Sequence, residues 1–126
     1  MSIQASLFSA GSIAIFLWGV AHMVPTRKIV DGFGQLSPDN RRIITMEWLL
    51  EGATLCFLGA LVAVVALDLG PIDPATRLVG RLAAAMLLIM AAISAFTGAR
   101  TAVLPMRLCP LVKTAVALVW LVASIL

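Results

Sequence analysis

The chain has 126 residues, of which 62% are hydrophobic and 12% are charged, and its mean hydropathy is +1.09. This composition excludes an ordinary soluble domain, and the length leaves room for one membrane-embedded unit without a large extramembrane domain. The net charge of +3 is no sign of nucleic-acid binding, because the basic residues lie mostly in short loops, where they set membrane topology. We therefore expect an integral membrane protein without a nucleic-acid partner.

Four long apolar stretches occupy most of the chain, at about residues 6–24, 43–67, 78–99 and 108–126, and the second predicted helix extends back to residue 38. Each is long enough for a helix to cross a hydrocarbon core of about 30 Å. The first stretch lacks the basic start of a signal peptide, so we interpret it as a retained helix. The sequence thus predicts an all-α fold, a multi-pass bundle of four transmembrane helices that forms a single domain over residues 1–126.

Prolines mark the ends of the predicted helices. Pro25 ends the first helix, since the residue before a proline avoids the α conformation. The segment Thr26–Gly34 is compatible with a short interfacial helix between the first and second helices. Ser37 and Pro38 are typical of a helix start, and the regular part of the fourth helix is expected to begin only near Pro110.

The loops differ in positive charge. The first and third loops together hold six Lys and Arg residues: Arg27, Lys28, Arg41, Arg42, Arg100 and Arg107. The region of the second loop holds two, Arg77 and Arg81. Loops rich in Lys and Arg stay in the cytoplasm. We therefore predict that loops one and three lie inside and that both termini lie outside.

Small residues recur at three- and four-residue steps along the predicted helices. Helices in membranes pack through close approach of their backbones, so Gly52 and Gly59 on the second helix predict an internal seam. The third helix has an Ala-rich face that includes Ala84, Ala91 and Ala95. Packing within the bundle is the first interpretation of this face, and a homo-oligomer formed through it is the alternative.

The polar residues within the helices gather in the half of the bundle near loops one and three. A charged side chain inside the lipid bilayer costs free energy, so it usually forms an ion pair or has a function. We predict one polar pocket to which all four helices contribute, formed by His22, Glu47, Glu51, Thr97, Arg100 and Lys113 with Trp18 and Trp48. Within this set, Glu51, Glu47 and His22 are the candidates for acid–base chemistry, because a desolvated carboxyl group suits proton transfer.

Each of these residues also has a structural interpretation. Glu47 lies near enough to the interface to be a solvated acid at a helix start, and an ion pair with Arg100 or Lys113 accounts equally for Glu51. A single histidine more often closes a hydrogen bond than binds a ligand. Trp48 suits an aromatic belt at the membrane interface.

No cofactor is predicted. A metal site would use His22, Glu47 and Glu51, which offer only one nitrogen ligand. Haem ligation by His22 lacks an evident second axial ligand. Cys56 and Cys109 lie in separate helices without a CxxC motif, and we interpret both as small buried apolar residues.

Two sequence runs suggest a family resemblance. The run Gly19–Pro25 closes the first helix, a short loop with Phe33 follows, and Thr45–Gly52 in the second helix is the most distinctive run of the chain. In this arrangement the chain resembles the small four-helix bacterial membrane proteins of the DoxX-like group. The resemblance implies a multi-pass protein of the bacterial inner membrane, sometimes an accessory of quinone-linked or redox complexes, and it carries over no catalytic residues.

Three functions compete on the sequence. The first is an accessory or binding protein whose polar pocket holds a lipid, a quinone or a partner helix, with membrane lipids and a membrane redox complex as partners. The second is an intramembrane acid–base enzyme, such as an isomerase acting on an apolar substrate. The third is a proton-coupled carrier, although carriers of the small-multidrug type have their essential Glu in the first helix, which has no acidic residue here. We rank them in this order.

Overall fold

The computed structural model describes residues 1–126 and contains five α-helices and no strand: α1 (Ile3–Met23), α2 (Thr26–Asp31), α3 (Pro38–Leu69), α4 (Pro74–Phe96) and α5 (Leu104–Ile125). A single 3₁₀ turn, Gly98–Arg100, lies between α4 and α5. The four longer helices are long and apolar enough to cross a membrane. The predicted four-helix membrane bundle is confirmed at this level, and so is the short helix between the first two spans.

Side-chain caps and prolines set where the helices begin. The hydroxyl of Ser37 accepts a hydrogen bond from the backbone N–H of Asn40 at 3.2 Å, and Pro38 occupies the first turn of α3, as predicted. The carboxylate of Asp73 caps α4 by accepting from the N–H of Ala75 at 2.8 Å. Helix α4 therefore begins at Pro74, four residues before the predicted boundary.

The start of α5 corrects a second predicted boundary. The helix begins at Leu104 and continues through Pro110, whereas the sequence predicted a start near residue 108 and regular structure only from Pro110. Pro105 lies in the first turn of the helix. A backbone N–H there would have no helical carbonyl to donate to, so the lack of one in proline costs no hydrogen bond. Pro110 leaves one carbonyl without its helical donor, which membrane helices tolerate. Lys113 consequently lies nine residues into α5, about 13 Å along its axis, rather than one turn from its start.

Helix α2 lies beside the first turns of α3. The guanidinium of Arg41 on α3 donates to the carboxylate of Asp31 on α2 at 2.6 Å. Both side chains are exposed, so the pair adds little to overall stability. It does fix the position of the loop that joins α1 to α3.

The four spans pack in a closed arrangement in which α1 lies against α3, α4 lies against α5, and α1 also contacts α5. Close contacts at small residues make the α1–α3 seam possible. A Cβ added to Gly59 would lie 2.7 Å from the backbone oxygen of Ser12, and one added to Gly19 would lie 2.7 Å from the backbone oxygen of Gly52. The glycines therefore allow the two backbones to approach as closely as they do.

The core of the bundle contains large apolar side chains from all four spans, among them Phe8, Ile15, Leu55, Leu87 and Trp120. The Ala-rich face of α4 is divided. Three of its alanines are buried in the bundle: Ala83, Ala84 and Ala91. Three others are exposed: Ala85, Ala92 and Ala95. A homo-oligomer through the exposed alanines stays a prediction.

Candidate functional site

An ion pair between Glu51 and Lys113 lies inside the bundle at the end near loops one and three. The Lys113 ammonium donates to Oε1 of Glu51 and, at 2.7 Å, to Oγ of Ser94. The Lys113 side chain is 0% exposed and that of Glu51 is 33% exposed. An ammonium group this deeply buried needs a carboxylate and further oxygen ligands, because desolvation of an unpaired charge is very costly.

His22 lies on the other side of the Glu51 carboxylate. Its Nε2 atom is 3.8 Å from Oε2 of Glu51 and has no hydrogen-bond partner, although the side chain is only 3% exposed. The imidazole stacks on the indole ring of Trp48, with centroids 4.2 Å apart and planes at 14°. The Nε1–H of Trp48 also donates to the His22 carbonyl at 2.7 Å. Trp48 therefore holds both the backbone and the ring of His22 in place.

Cys109 completes the group and was missed as a functional candidate by sequence reasoning. The residue is buried, and its Sγ is 3.8 Å from Oε1 of Glu51. Three possible metal-ligand atoms lie within 4.8 Å of one another, one each from His22, Glu51 and Cys109. The signal in the sequence is the four-residue step from Cys109 to Lys113, which places both on one face of a helix. We call His22, Glu51, Ser94, Cys109 and Lys113 the Glu51 cluster.

The structure separates other predicted site residues from this cluster. Glu47 is exposed and forms no ion pair. Arg100 is exposed, and its guanidinium lies 5.6 Å from the centre of the Phe96 ring instead of pairing with Glu51.

Thr97 is also exposed and donates to the carbonyl of Ile93 at 2.7 Å. It nevertheless lines a cavity beside the Glu51 cluster. This Glu51-side cavity has a volume of about 220 Å³ and is bounded by Glu51, Met90, Ile93, Ser94, Thr97, Gly98, Met106, Cys109 and Lys113. The acid, the ammonium group and the thiol of the cluster all reach this cavity wall.

A second cavity, the Trp18-side cavity, has a volume of about 300 Å³ and lies where α1, α2, α3 and α5 meet. Its wall is mainly apolar and contains two indole rings and the imidazole: Trp18, Ala21, His22, Pro25, Ile29, Trp48, Val103, Leu104, Pro105, Met106 and Leu108. The Nε1–H of Trp18 is buried and has no hydrogen-bond partner. Trp18 therefore contributes to this apolar wall a ring whose buried N–H has no hydrogen-bond partner.

Comparison with known proteins adds no family to this geometry: no family model, curated protein or solved structure matches the chain. The DoxX-like resemblance stays a prediction. What the chain does must accordingly be argued from the two cavities and the residues between them.

Proposed function

We propose that this membrane protein binds a small apolar molecule of quinone type in the Trp18-side cavity. The observation that carries this proposal is the buried Nε1–H of Trp18, which has no partner although Trp18 lines an apolar cavity of about 300 Å³. A cavity of this size is at the lower end of the range found for small-molecule sites.

The unpartnered indole sets the polar chemistry of the ligand. Indole Nε1 is only a donor, so its partner must be an acceptor such as a carbonyl oxygen. A buried tryptophan N–H usually has such a partner, and leaving the donor unsatisfied costs about 1–3 kcal/mol. A ligand carbonyl that accepts from Trp18 would recover this free energy.

The rest of the wall sets the apolar chemistry. It contains no Lys or Arg, so a phospholipid phosphate would meet no positive charge there. The rings of Trp18 and Trp48 favour a planar partner that stacks on them, and Leu104, Pro105 and Leu108 complete an apolar surface. A quinone ring carries both a planar body and carbonyl acceptors.

With this ligand the protein would act as an accessory of a membrane redox complex or as a local quinone-binding protein in the bacterial inner membrane. An acid–base enzyme receives less support from the geometry, because Glu51 is engaged by Lys113 and Glu47 lies outside the cluster. A carrier receives less support because α1 contains no acidic residue.

The proposal is tested by titrating the protein in lipid nanodiscs with a short-chain benzoquinone and following the heat of binding, with empty nanodiscs as the blank. We expect saturable binding to the wild type, weakened about fivefold in Trp18→Phe through the loss of one neutral hydrogen bond. Trp120→Phe is the matched control, because the Nε1–H of Trp120 already donates to the Phe8 carbonyl at 3.4 Å. No saturable binding to the wild type, or equal weakening by both substitutions, would contradict the proposal.

A further inference from the structure

We propose that His22 Nε2, the Glu51 carboxylate and Cys109 Sγ form a binding site for one soft monovalent metal ion of the Cu(I) type. The site shares His22 with the wall of the Trp18-side cavity, but the argument for it does not depend on the quinone proposal.

The spacing of the donor atoms fits a small metal ion. His22 Nε2 lies 3.8 Å from Oε2 of Glu51, and Cys109 Sγ lies 3.8 Å from the other oxygen, Oε1. A set of one donor atom from each residue, with a single carboxylate oxygen, lies within 4.8 Å. Metal–ligand bonds of about 2.0–2.3 Å in a three-coordinate arrangement require donor separations of about 3.5–4 Å. Side-chain shifts of less than about 1 Å would close the site.

The neighbours of His22 hold its imidazole in a fixed orientation. The His22 imidazole is almost fully buried, and its Nε2 has no hydrogen-bond partner. Stacking on Trp48 fixes the ring, and the Trp48 N–H fixes the His22 carbonyl. A buried imidazole nitrogen without a hydrogen-bond partner is unusual unless it binds something, and an imidazole oriented by its neighbours is typical of metal ligands.

The charge of the cluster selects a monovalent ion. Lys113 occupies Oε1 of Glu51 and neutralises that carboxylate, while Oε2 faces His22. Binding displaces the proton of the Cys109 thiol to solvent, and the resulting thiolate balances a single positive charge. A divalent ion would leave one uncompensated charge in a buried place, which is costly.

The donor types select a soft ion. Thiolate and thioether sulfur favour Cu(I) among the biological metals, and imidazole is compatible with it. Two methionines, Met90 and Met106, line the Glu51-side cavity together with Cys109.

The donor set considered on the sequence was His22, Glu47 and Glu51, and no metal was predicted because it has only one nitrogen ligand. His22, Glu47 and Glu51 would offer two hard oxygens and one nitrogen. The fold instead exposes Glu47 and brings the thiol of Cys109 to the carboxylate. The exchange of a carboxylate for a thiol turns a weak hard-ion site into a soft-ion site.

The first experiment measures metal binding to the reduced full-length protein in detergent, with Ag(I) as a redox-stable probe and Cu(I) buffered by a competing chelator. We expect one equivalent of either ion, with release of one proton. Cys109→Ser and His22→Ala should each weaken binding by at least about tenfold. Cys56→Ser is the matched control, because Cys56 lies against α1 and its Sγ is 3.5 Å from the Phe16 carbonyl.

Gel filtration and thermal unfolding establish that each variant is folded before it is titrated. Absence of stoichiometric Ag(I) or Cu(I) binding would overturn the proposal. Binding that survives Cys109→Ser, or that is lost in Cys56→Ser, would overturn it as well.

The second experiment changes the charge and leaves the ligands in place. In Lys113→Met the Glu51 carboxylate and the Cys109 thiolate carry two negative charges, which match a divalent ion. We expect the ratio of Ag(I) to Zn(II) affinity to fall by at least about tenfold relative to the wild type. An unchanged ratio, or stoichiometric Zn(II) binding to the wild type in preference to Ag(I), would overturn the assignment to a monovalent ion.

Discussion

The carboxylate of Glu51 and the ammonium group of Lys113 are joined across the interior of the bundle, although 62 residues separate them in the chain. Their helices, α3 and α5, do not form one of the main packed pairs of the bundle, which are α1 with α3 and α4 with α5. The ion pair therefore connects these two packed pairs. Ser94 on α4 accepts from the same ammonium group, so the link extends to a third span.

We predict that the two partners of this ion pair differ in their effect on stability. Glu51→Gln leaves Lys113 fully buried without its counter-charge and should lower the free energy of unfolding by about 3–5 kcal/mol. Lys113→Met should cost less, because the Glu51 side chain is one-third exposed and keeps access to water. Thermal unfolding in detergent of both single variants measures the difference.

The double variant supplies the control for this prediction. Glu51→Gln with Lys113→Met removes both charges and should be more stable than Glu51→Gln alone, because no unpaired ion remains. Additive losses in the double variant would show that the pair has no coupling energy.

The α1–α3 seam gives a second prediction. Gly59→Leu places a side chain where a Cβ alone would lie 2.7 Å from the Ser12 carbonyl oxygen, so it should separate α1 from α3. We expect the free energy of unfolding to fall by about 1–3 kcal/mol and the folded yield to be lower. Phe57→Leu is the control, because that side chain is 63% exposed on the outer surface of the bundle. Equal melting temperatures for the two variants would contradict the seam.

The four spans were the most predictable part of the fold, and their starts were less so. Hydropathy alone locates four helices, and Ser37 with Pro38 marks the start of α3 because capping depends on local residues only. The start of α5 was mispredicted, because Pro110 was expected to delay a helix that in fact begins at Leu104. That error concealed Cys109, and it placed Lys113 too close to the membrane surface.

The site was less predictable than the spans, because its members meet through tertiary packing. The sequence grouped Glu47 with Glu51 from their four-residue spacing. The spacing does not reveal that Glu51 is half-buried beside Lys113 while Glu47 is exposed. Nor does any pattern in the sequence show that the His22 ring stacks on Trp48, since this depends on the relative height of two helices.

Membrane orientation gives a third prediction. The six-to-two excess of Lys and Arg predicts that loops one and three lie in the cytoplasm and that both termini lie outside. A reporter enzyme that is active only outside the cytoplasm should be active when fused after Leu126 and inactive when inserted at Gly34. The reverse pattern, or activity at both sites, would contradict the predicted orientation.

The stacking of His22 on Trp48 gives a fourth prediction, which isotope-edited NMR can measure because His22 is the only histidine of the chain. The two rings are nearly parallel with centroids 4.2 Å apart, so the indole should shift the His22 ring protons upfield. Trp48→Leu should move these signals downfield. It should also lower stability, because the His22 carbonyl at the end of α1 loses the hydrogen bond from Trp48 Nε1. Trp120→Phe should leave the His22 signals unchanged, since Trp120 packs against Gly11 in the other half of the bundle. Wild-type signals already at the position of an unstacked imidazole would show that the two rings do not stack.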